Sequence, residues 1–426
     1  MEHKFFKINR DNKIIKKKIF FIIIRKIHGE IDWILPLVNK FNDKYLFFAI
    51  IENKKEITVL KRNLFLYNQF KKNFHGYFLE NRYKNFFLRI YLKFLNLFDL
   101  TYKNKIVKKF NQQYYSYKKL LSIIEKNYNI SKLKKVNILV SYDKINNNWE
   151  KEISKNKIST TFYFPSSCSV KPKFTLKLKK VNNQNRYKNK FLLLSNSINK
   201  FHWQNLYPKL KQLVIGYPRY ANFWIKNIQV LEKKNSSIKI YLSYRRELYN
   251  EDWFKKAIAQ VNQIKLILKK INKEFKIYVK LHPYTNQNEL TNYLTDEKNL
   301  KFMLTDLHQQ EICRISDFSI NFFNSASIME SLSMKKPAIE LSQLSSESNT
   351  SPYKDYNISF YAKNEIQLER YIKKLVFNDN KLEQEFKKKY TIFKKVFLKN
   401  NPIKTFEKFL NLKRNTINNK PRNRIR

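Results

Sequence analysis

The segment "KIFFIII", residues 18–24, decides the fold. It is apolar at almost every position, which is typical of a strand whose two faces are both covered by helices in a parallel sheet. It is also much shorter than the roughly 18 residues that a membrane span requires. The surrounding "KKKIFFIIIRK" has the charge order of a signal peptide, but its apolar core is shorter than the roughly 7 to 15 residues expected there. We therefore interpret it as a buried strand.

The same alternation of short apolar runs and longer amphipathic stretches continues along the chain. It predicts strands at 18–24, 44–50, 136–142, 160–165, 191–196, 238–244, 275–281, 300–305, 317–322 and 337–342. It predicts helices near 31–40, 56–72, 79–98, 105–127, 252–272, 286–295, 308–315, 325–334, 364–377 and 380–410. The expected fold class is therefore α/β, with two Rossmann-like doubly wound domains.

A chain of 426 residues is too long for one ordinary core and fits two domains of about 150 to 200 residues each. The segment "GYPRYANFW" and the polar stretch "EKKNSS" favour a crossing between them. We expect an N-terminal domain at 1–200, a hinge or crossing at 201–237, a C-terminal domain at 238–363, C-terminal helices at 364–412 and a basic tail at 413–426.

The charge of the chain indicates a polyanionic partner. The formal net charge is +52, which attracts nucleic acid, anionic lipid or acidic polysaccharide. The tail "KRNTINNKPRNRIR" either rests on an anionic membrane face or is inert. An AT-rich gene offers another explanation for the charge, because Lys, Asn and Ile are abundant and Gly numbers only 3.

The cysteines exclude two classes of site. Cys168 and Cys313 lie far apart and form no CxxC or Cys/His spacing, which argues against a disulfide framework or a zinc site. We therefore expect a reducing compartment.

Ligands of open parallel sheets bind beyond the carboxyl ends of the strands, so the residues just after predicted strands are the candidates. In "KLHP", His282 follows a strand, and Pro283 restrains the loop. An imidazole held there can donate a hydrogen bond to a phosphate oxygen. The alternative is an ordinary loop histidine.

A second candidate lies in "SDFSINFFNSASIMES", residues 316–331. Asn324, Ser325 and Ser327 follow a strand and open a helix, where backbone N–H groups and the helix dipole favour an anion. The alternative is a capping box, because Ser327 and Glu330 match S-x-x-E.

A third candidate is "IRKIHGEIDWILPL", residues 24–37, where Gly29 permits a tight turn after the first strand. A carboxylate or imidazole from His28, Glu30 or Asp32 can serve there as a general base towards a hydroxyl. The alternative is that Glu30 and Asp32 only cap the following helix.

Two further loops carry cations. Arg219 of "GYPR" and Arg245 of "SYRRE" can bind a diphosphate or a carboxylate through two parallel hydrogen bonds. The alternative is that they are surface residues, because the chain has 86 lysines and arginines.

The motifs, in this order, resemble a known family. "HGEIDWILPL", "GYPR", "KLHP" and "NSASIMESLSMKKPAIEL" resemble the bacterial surface-polysaccharide glycosyltransferases of the GT-B fold. The resemblance is greatest to users of CMP-sugars and CDP-alcohols: sialyltransferases, polysialyltransferases, capsule Kdo-transferases and teichoic acid glycerophosphotransferases. It spans most of residues 18–342.

The resemblance implies two domains that face each other across a cleft, with C-terminal helices that pack back. It also implies that His282, Ser325 and Ser327 bind the phosphates of a cytidine nucleotide. The acidic base motif D/E-D/E-G of the sialyltransferases is absent, and "HGE" at 28–30 is the nearest substitute. No DxD motif of the metal-dependent transferases is present, so we expect neither a metal nor another cofactor.

The function that the resemblance implies is transfer of a sugar or polyol phosphate from a nucleotide donor to a glycan or lipid-linked glycan acceptor. We expect a cytoplasmic protein that can lie at an anionic membrane surface on the inner face of the plasma membrane. The alternatives are a basic nucleic-acid-binding protein, a sugar-nucleotide epimerase, and a transferase-like subunit without activity. No RNP, KH, zinc-finger or basic-zipper signature supports the nucleic-acid alternative.

Overall fold

The structure is a computed structural model. It describes residues 4–8, 18–25, 27–51, 54–79, 117–128, 136–140, 149, 160–164, 190–198, 200, 203, 210–228, 237–244, 251–281, 291–322, 325–341 and 351–418. At 28, 29, 117, 244, 251–253, 281 and 411–418 the description is of the backbone alone.

Strands and helices alternate in these residues. The strands are β1 (Lys4–Lys7), β2 (Lys18–Ile24), β3 (Tyr45–Ile51), β4 (Gly76–Leu79), β5 (Val136–Val140), β6 (Thr160–Tyr163), β7 (Lys190–Leu194), β8 (Lys211–Val214), β9 (Ile238–Tyr244), β10 (Phe275–Leu281), β11 (Leu300–Leu304), β12 (Phe318–Asn321), β13 (Ala338–Leu341) and β14 (Phe360–Ala362). The helices are α1 (Ile27–Phe41), α2 (Lys54–Arg62), α3 (Leu64–Asn73), α4 (Tyr117–Tyr128), α5 (Asn222–Lys226), α6 (Glu251–Lys269), α7 (Gln309–Ile315), α8 (Ser327–Ser333), α9 (Pro352–Asp355), α10 (Glu365–Val376), α11 (Asn380–Phe397) and α12 (Pro402–Asn418). A 3₁₀ turn spans Pro218–Tyr220.

The chain divides into two compact units. The first comprises the described residues up to Arg219 together with those from Asn400 onward, and the second runs from Tyr220 to Lys399. The division at Arg219 and Tyr220 lies inside the predicted crossing at 201–237. Helix α11 therefore counts with the second unit and helix α12 with the first.

The first unit is built on a sheet with the strand order β1-β4-β3-β2-β5-β6-β7-β8. All neighbours in it are parallel except β1, which pairs antiparallel with β4. Strand β2 is buried along almost its whole length, as its continuous apolar sequence predicts. Helix α12 also packs on this unit, because the ring centroid of Phe409 lies 5.8 Å from that of Phe162 in β6 and 4.8 Å from that of Phe191 in β7.

The second unit contains a parallel sheet with the order β11-β10-β9-β12-β13-β14. In order of appearance this is 3-2-1-4-5-6, the order of Rossmann folds. Its apolar core joins the strands to α6, α10 and α11, with Ile240, Ile264, Ile320 and Ile372 at most 1% exposed. The predicted fold class, α/β with Rossmann-like doubly wound sheets, is confirmed in both units.

All of the predicted strands are present within a few residues of their predicted bounds. Strands β1, β4, β8 and β14 were not predicted; each has three or four residues, and β1 and β8 are not buried along their length as a continuous apolar run would be. The predicted helix 56–72 is two helices, because the side chain of Asn63 accepts a hydrogen bond from Leu66 N–H and caps a new start. The predicted helix 380–410 is also broken, because Pro402 begins α12.

The predicted helix 79–98 lies outside the described residues except for Leu79, which ends β4. Only 117–127 of the predicted helix 105–127 and 291–295 of the predicted helix 286–295 are described; the former lies in α4. Among the described residues, none of the helices combines the length and apolar character that crossing a bilayer requires.

Candidate functional site

Each sheet has one place where successive strands start to be added on the opposite side. In the second unit this switch point lies between β9 and β12, because β10 and β11 extend the sheet in the other direction. In the first unit it lies between β2 and β5, for the same reason. Ligands of open α/β sheets bind outside the carboxyl ends of the strands at such points. The two switch points are therefore the places to look for a site.

Polar side chains converge at the switch point of the second unit. Ser243 lies near the end of β9, Asn321 ends β12, Ser325 follows it, and Ser327 opens α8. The Oγ of Ser327 lies 2.7 Å from Ser243 Oγ, 2.7 Å from Asn321 Oδ1 and 2.5 Å from Ser325 Oγ. Ser243 Oγ and Ser325 Oγ are 3.2 Å apart. We call these four residues the serine cluster.

The hydrogen-bond directions in the serine cluster follow from its amide. Asn321 Nδ2 donates to Ser319 Oγ at 2.8 Å, so Asn321 Oδ1 faces Ser327 and can only accept. Ser327 Oγ is the donor towards both Asn321 Oδ1 and Ser243 Oγ, so its single hydrogen goes to one of these two acceptors. Ser325 Oγ can be donor or acceptor towards Ser327 and Ser243, so its hydrogen has a choice of partners. Ser325 is also the more exposed serine, at 9% against 1% for Ser327.

The cluster continues inward through neutral groups. Ser331 Oγ lies 2.7 Å from Ser319 Oγ, and Cys313 Sγ lies 3.4 Å from Ser331 Oγ. The phenol of Tyr241 interacts with Ser243 and is fully buried, and this burial raises its pKa well above the ordinary range. Tyr241 is therefore neutral at physiological pH. The interior of this site is polar but carries no charge from these residues.

The capping-box alternative for Ser327 and Glu330 is wrong. The N-cap of α8 is Ala326, and it makes no side-chain cap hydrogen bond. The carboxylate of Glu330 is fully buried and accepts a hydrogen bond from the hydroxyl of Tyr220 at 2.9 Å. Both side chains are thus engaged in contacts other than capping.

Three predicted ligands of this site lie outside the described residues: His282, Asn324 and Arg245. Strand β10 ends at Leu281, one residue before His282, and β9 ends at Tyr244, one residue before Arg245. The predicted convergence of His282 with the serines therefore stays a prediction.

At the switch point of the first unit, helix α1 begins earlier than predicted. It starts at Ile27, so Gly29 lies inside the helix and its interpretation as a tight turn is wrong. Glu30 is 3% exposed, and its Oε2 accepts a hydrogen bond from Arg25 N–H at 3.0 Å. This bond satisfies a backbone donor just before the helix, as the capping alternative expects of Glu30. The backbone of His28 lies in α1, and its side chain is outside the description.

Asp32 forms a buried ion pair that joins two predicted site residues. Its Oδ2 lies 3.0 Å from a terminal nitrogen of Arg219, and both side chains are under 10% exposed. The Arg219 guanidinium also lies 4.6 Å from the ring centroid of Trp33. Arg219 is buried, so the alternative that it is a surface residue is wrong, whereas its predicted binding of a ligand stays a prediction. The pair places a positive and a negative charge together at the start of α1.

Neighbouring residues hold the segment that carries Arg219. The ring of Tyr217 lies 5.8 Å from that of Trp33, and its hydroxyl accepts a hydrogen bond from Asn196, which follows β7. Gly216 has φ of 101°, and a Cβ there would lie 2.7 Å from the carbonyl oxygen of Asn400. A glycine is therefore required at this position.

Sequence reasoning missed Ser243 and Asn196. The signal for Asn196 was present, because it ends the predicted strand 191–196 as the other candidates follow theirs. Ser243 was hidden inside the predicted strand 238–244, where a polar residue near the carboxyl end was not considered.

Among the described residues, no group of three His, Cys, Asp or Glu side chains is placed to hold a metal ion. The predicted independence from metals stays a prediction.

Comparison with known proteins concerns the fold. No protein-family model matches the chain, and no curated protein matches it. Among solved structures, S. aureus MnaA with UDP is similar, with a TM-score of 0.55 and 13% identity over 94% of this chain and 97% of that one. A UDP-N-acetylglucosamine 2-epimerase described as putative, from Listeria monocytogenes, gives 0.56 and 10%, covering 95% and 98% of the two chains. A glycosyltransferase from Rickettsia africae gives 0.53 and 14%, covering 95% and 100%.

These likenesses extend over nearly the whole length of the chain at very low sequence identity. They show a shared fold, and a shared fold alone does not establish which reaction a protein catalyses. The chain therefore has the two-domain α/β fold of the GT-B type.

Proposed function

We propose that the protein is a glycosyltransferase of bacterial surface polysaccharide synthesis, which transfers a sugar or polyol phosphate from a cytidine-linked donor to a glycan acceptor. The observation that carries this proposal is the serine cluster at the switch point of the second unit. The fold supports it as well, because similar structures include a glycosyltransferase from Rickettsia africae and S. aureus MnaA with UDP.

The serine cluster suits the phosphates of a nucleotide. Hydroxyl groups donate hydrogen bonds to phosphate oxygens, and the four residues of the serine cluster include no carboxylate. In this proposal Ser325 contacts the phosphate, because it is the most exposed serine of the cluster and its hydrogen has a choice of partners. Ser327 and Asn321 are positioning residues, since they are buried and hold Ser325.

The neighbouring loops complete the donor site in this proposal. The resemblance assigns His282 to the phosphates, and Asn324 and Arg245 are further candidate ligands for them. Neutralisation of the leaving phosphate by side chains rather than a metal would follow the logic of electrostatic stabilisation.

The first unit supplies the base. An acceptor hydroxyl would lose its proton to Glu30 as its oxygen forms the new bond, and the nucleotide phosphate would leave with the electron pair of the broken bond. We favour Glu30 over Asp32, because Asp32 is committed to Arg219 at 3.0 Å. Asp32 and Arg219 then act as positioning residues, and His28 is the remaining candidate base.

A sugar-nucleotide epimerase is the second candidate. It is favoured by the similar structure from Listeria monocytogenes, which is described as a putative UDP-N-acetylglucosamine 2-epimerase. An epimerase would change a UDP-sugar in the absence of any acceptor, whereas a transferase requires one. Incubation of the protein with UDP-N-acetylglucosamine alone, followed by chromatography of the sugar, separates the two.

A thermal-shift panel of CMP, CDP, UDP and GDP tests the proposal. A ligand that binds only the native state stabilises it, by about 2.7 kcal/mol at 100 times its dissociation constant. We expect CMP or CDP to raise the melting temperature and UDP and GDP to leave it unchanged. A rise with UDP alone would overturn the cytidine assignment, and no rise with any nucleotide would overturn the transferase.

A further inference from the structure

The corner between α2 and α3 is an exposed, basic surface that the proposed function does not use. It is formed by residues 61–65, "KRNLF", at the end of α2 and the start of α3. We call it the basic corner. Leu64, the first residue of α3, is 70% exposed, although leucine is usually among the most buried residues.

The basic corner is held rigidly, so the exposure of Leu64 does not come from a frayed end. The side chain of Asn63 accepts a hydrogen bond from Leu66 N–H at 3.0 Å, and Asn63 N–H donates to Leu60 O at 3.1 Å. Leu60 and Leu66 are buried on either side of the corner. The fold therefore presents Leu64 outward on a fixed scaffold.

The charges around Leu64 are almost all positive. The lysines and arginine of α2 and α3 are Lys54, Lys55, Lys61, Arg62, Lys71 and Lys72, all of them exposed. The acidic residue of these helices is Glu56, whose carboxylate accepts a hydrogen bond from Ile27 N–H at 2.8 Å. Among the described residues, Lys61 and Arg62 have no carboxylate partner in an ion pair.

Two other apolar residues are similarly exposed, and their surroundings differ. Ile366, at 78%, follows Glu365 and lies near Glu369, and Phe377, at 61%, lies near Asp379. Lysines near them form ion pairs: Lys373 lies 2.7 Å from Glu369, and Lys374 lies 3.6 Å from Asp379. Leu64 differs from these two side chains, because the neighbouring Lys61 and Arg62 have no carboxylate partner among the described residues.

We propose that the basic corner docks on an anionic lipid bilayer. An anionic bilayer matches both features of the basic corner. Its negative headgroups attract Lys61 and Arg62, and its apolar interior can bury Leu64. Nucleic acid would meet the lysines but would gain little from Leu64. Docking places α2 and α3 on the membrane, and this inference does not depend on the donor, the acceptor or any turnover.

Co-sedimentation of the full-length protein with vesicles tests the proposal. We expect binding to vesicles of phosphatidylcholine with phosphatidylglycerol and little binding to phosphatidylcholine alone. The K61Q/R62Q variant should bind roughly 25-fold more weakly, at about fivefold per basic residue, and added salt should weaken the wild type in the same way. L64S should bind about tenfold more weakly, because a buried leucine is lost from the bilayer.

The matched control is I366S, which removes an apolar side chain of similar exposure that lies near Glu365 and Glu369. It should bind as the wild type does. Equal losses in I366S and L64S, or full binding by K61Q/R62Q, would overturn the proposal. The proposal would also be overturned if the wild type failed to bind vesicles but bound a short RNA, and if this RNA binding were weaker in K61Q/R62Q and unchanged in L64S. Melting temperatures of all variants, followed by circular dichroism, show that each is folded.

Discussion

The two units carry the same kind of sheet, yet the side chains gathered at the two switch points differ in charge. In the first unit they are ionic: Glu30, and Asp32 paired with Arg219 at 3.0 Å. In the second unit the serine cluster itself is neutral, with serine and asparagine side chains 2.5–3.2 Å apart. The strand order fixes where a site can form, and the residues at that place decide its chemistry.

This difference suggests a division of labour. A carboxylate can accept a proton, whereas serine hydroxyls can only exchange hydrogen-bond partners near neutral pH. A neutral site accepts an anion without displacing an existing counter-ion. The first switch point is therefore suited to acid–base chemistry and the second to binding phosphate.

The largest effect is expected at Glu30. Glu30→Gln keeps the size and a hydrogen-bond acceptor for Arg25 N–H but removes the base, so turnover should fall about 10²- to 10⁴-fold. The stabilisation of the protein by nucleotide should not change, because the proposed donor site lies in the other unit. Initial rates with saturating donor, together with thermal shifts, measure both quantities. Unchanged turnover would show that Glu30 is not the base.

The next effect is expected in the free energy of unfolding, which we compare between variants of Asp32 in the first unit and Ser327 in the second. Asp32→Asn leaves the Arg219 charge buried without its counter-ion, which should cost about 3 to 5 kcal/mol. Ser327→Ala removes a neutral hydroxyl and should cost about 1 to 3 kcal/mol. Urea unfolding of each variant measures the two values. The double variant D32N/R219Q should recover part of the loss, and equal costs at both sites would contradict the ionic interpretation of the first.

The smallest effect is a pH dependence at Tyr241. Burial raises its pKa in the folded protein, so the unfolded chain loses this proton first once the pH exceeds about 10. The folded state is then the one with more protons, and stability falls as pH rises above 10, by about 1.4 kcal/mol per pH unit from this group. Tyr241→Phe should lack this part of the slope. Urea midpoints between pH 9 and 11 for both proteins provide the test, and identical slopes would contradict it.

The sequence predicted the fold more completely than the site. Continuous apolar runs such as 18–24 are strands wherever a parallel sheet buries them, so position and type followed from local pattern. The edge strand β14 and the partly exposed β8 have too few residues to show such a pattern. The break between α2 and α3 rests on one hydrogen bond of Asn63, which periodicity does not reveal.

The candidate residues were found by their place after predicted strands, but their partners were not. Ser243 and Ser325 are separated by 82 residues, and Asp32 and Arg219 belong to distant segments. Such pairings depend on how the strands are ordered in the sheet, and the sequence alone did not specify that order. It also could not show that Ser327 is buried beneath Ser325 or that Arg219 already has a carboxylate partner.

The central claim is that the nucleotide phosphate binds at Ser325. The rise in melting temperature caused by CMP or CDP, compared between S325A and S333A, tests it most directly. Ser333 is a serine of similar burial at the opposite end of α8, where its hydroxyl donates to Glu330 O at 2.6 Å. We expect S325A to lose most of the rise in melting temperature and S333A to keep it. A full rise in S325A, with the wild type responding normally, would contradict it.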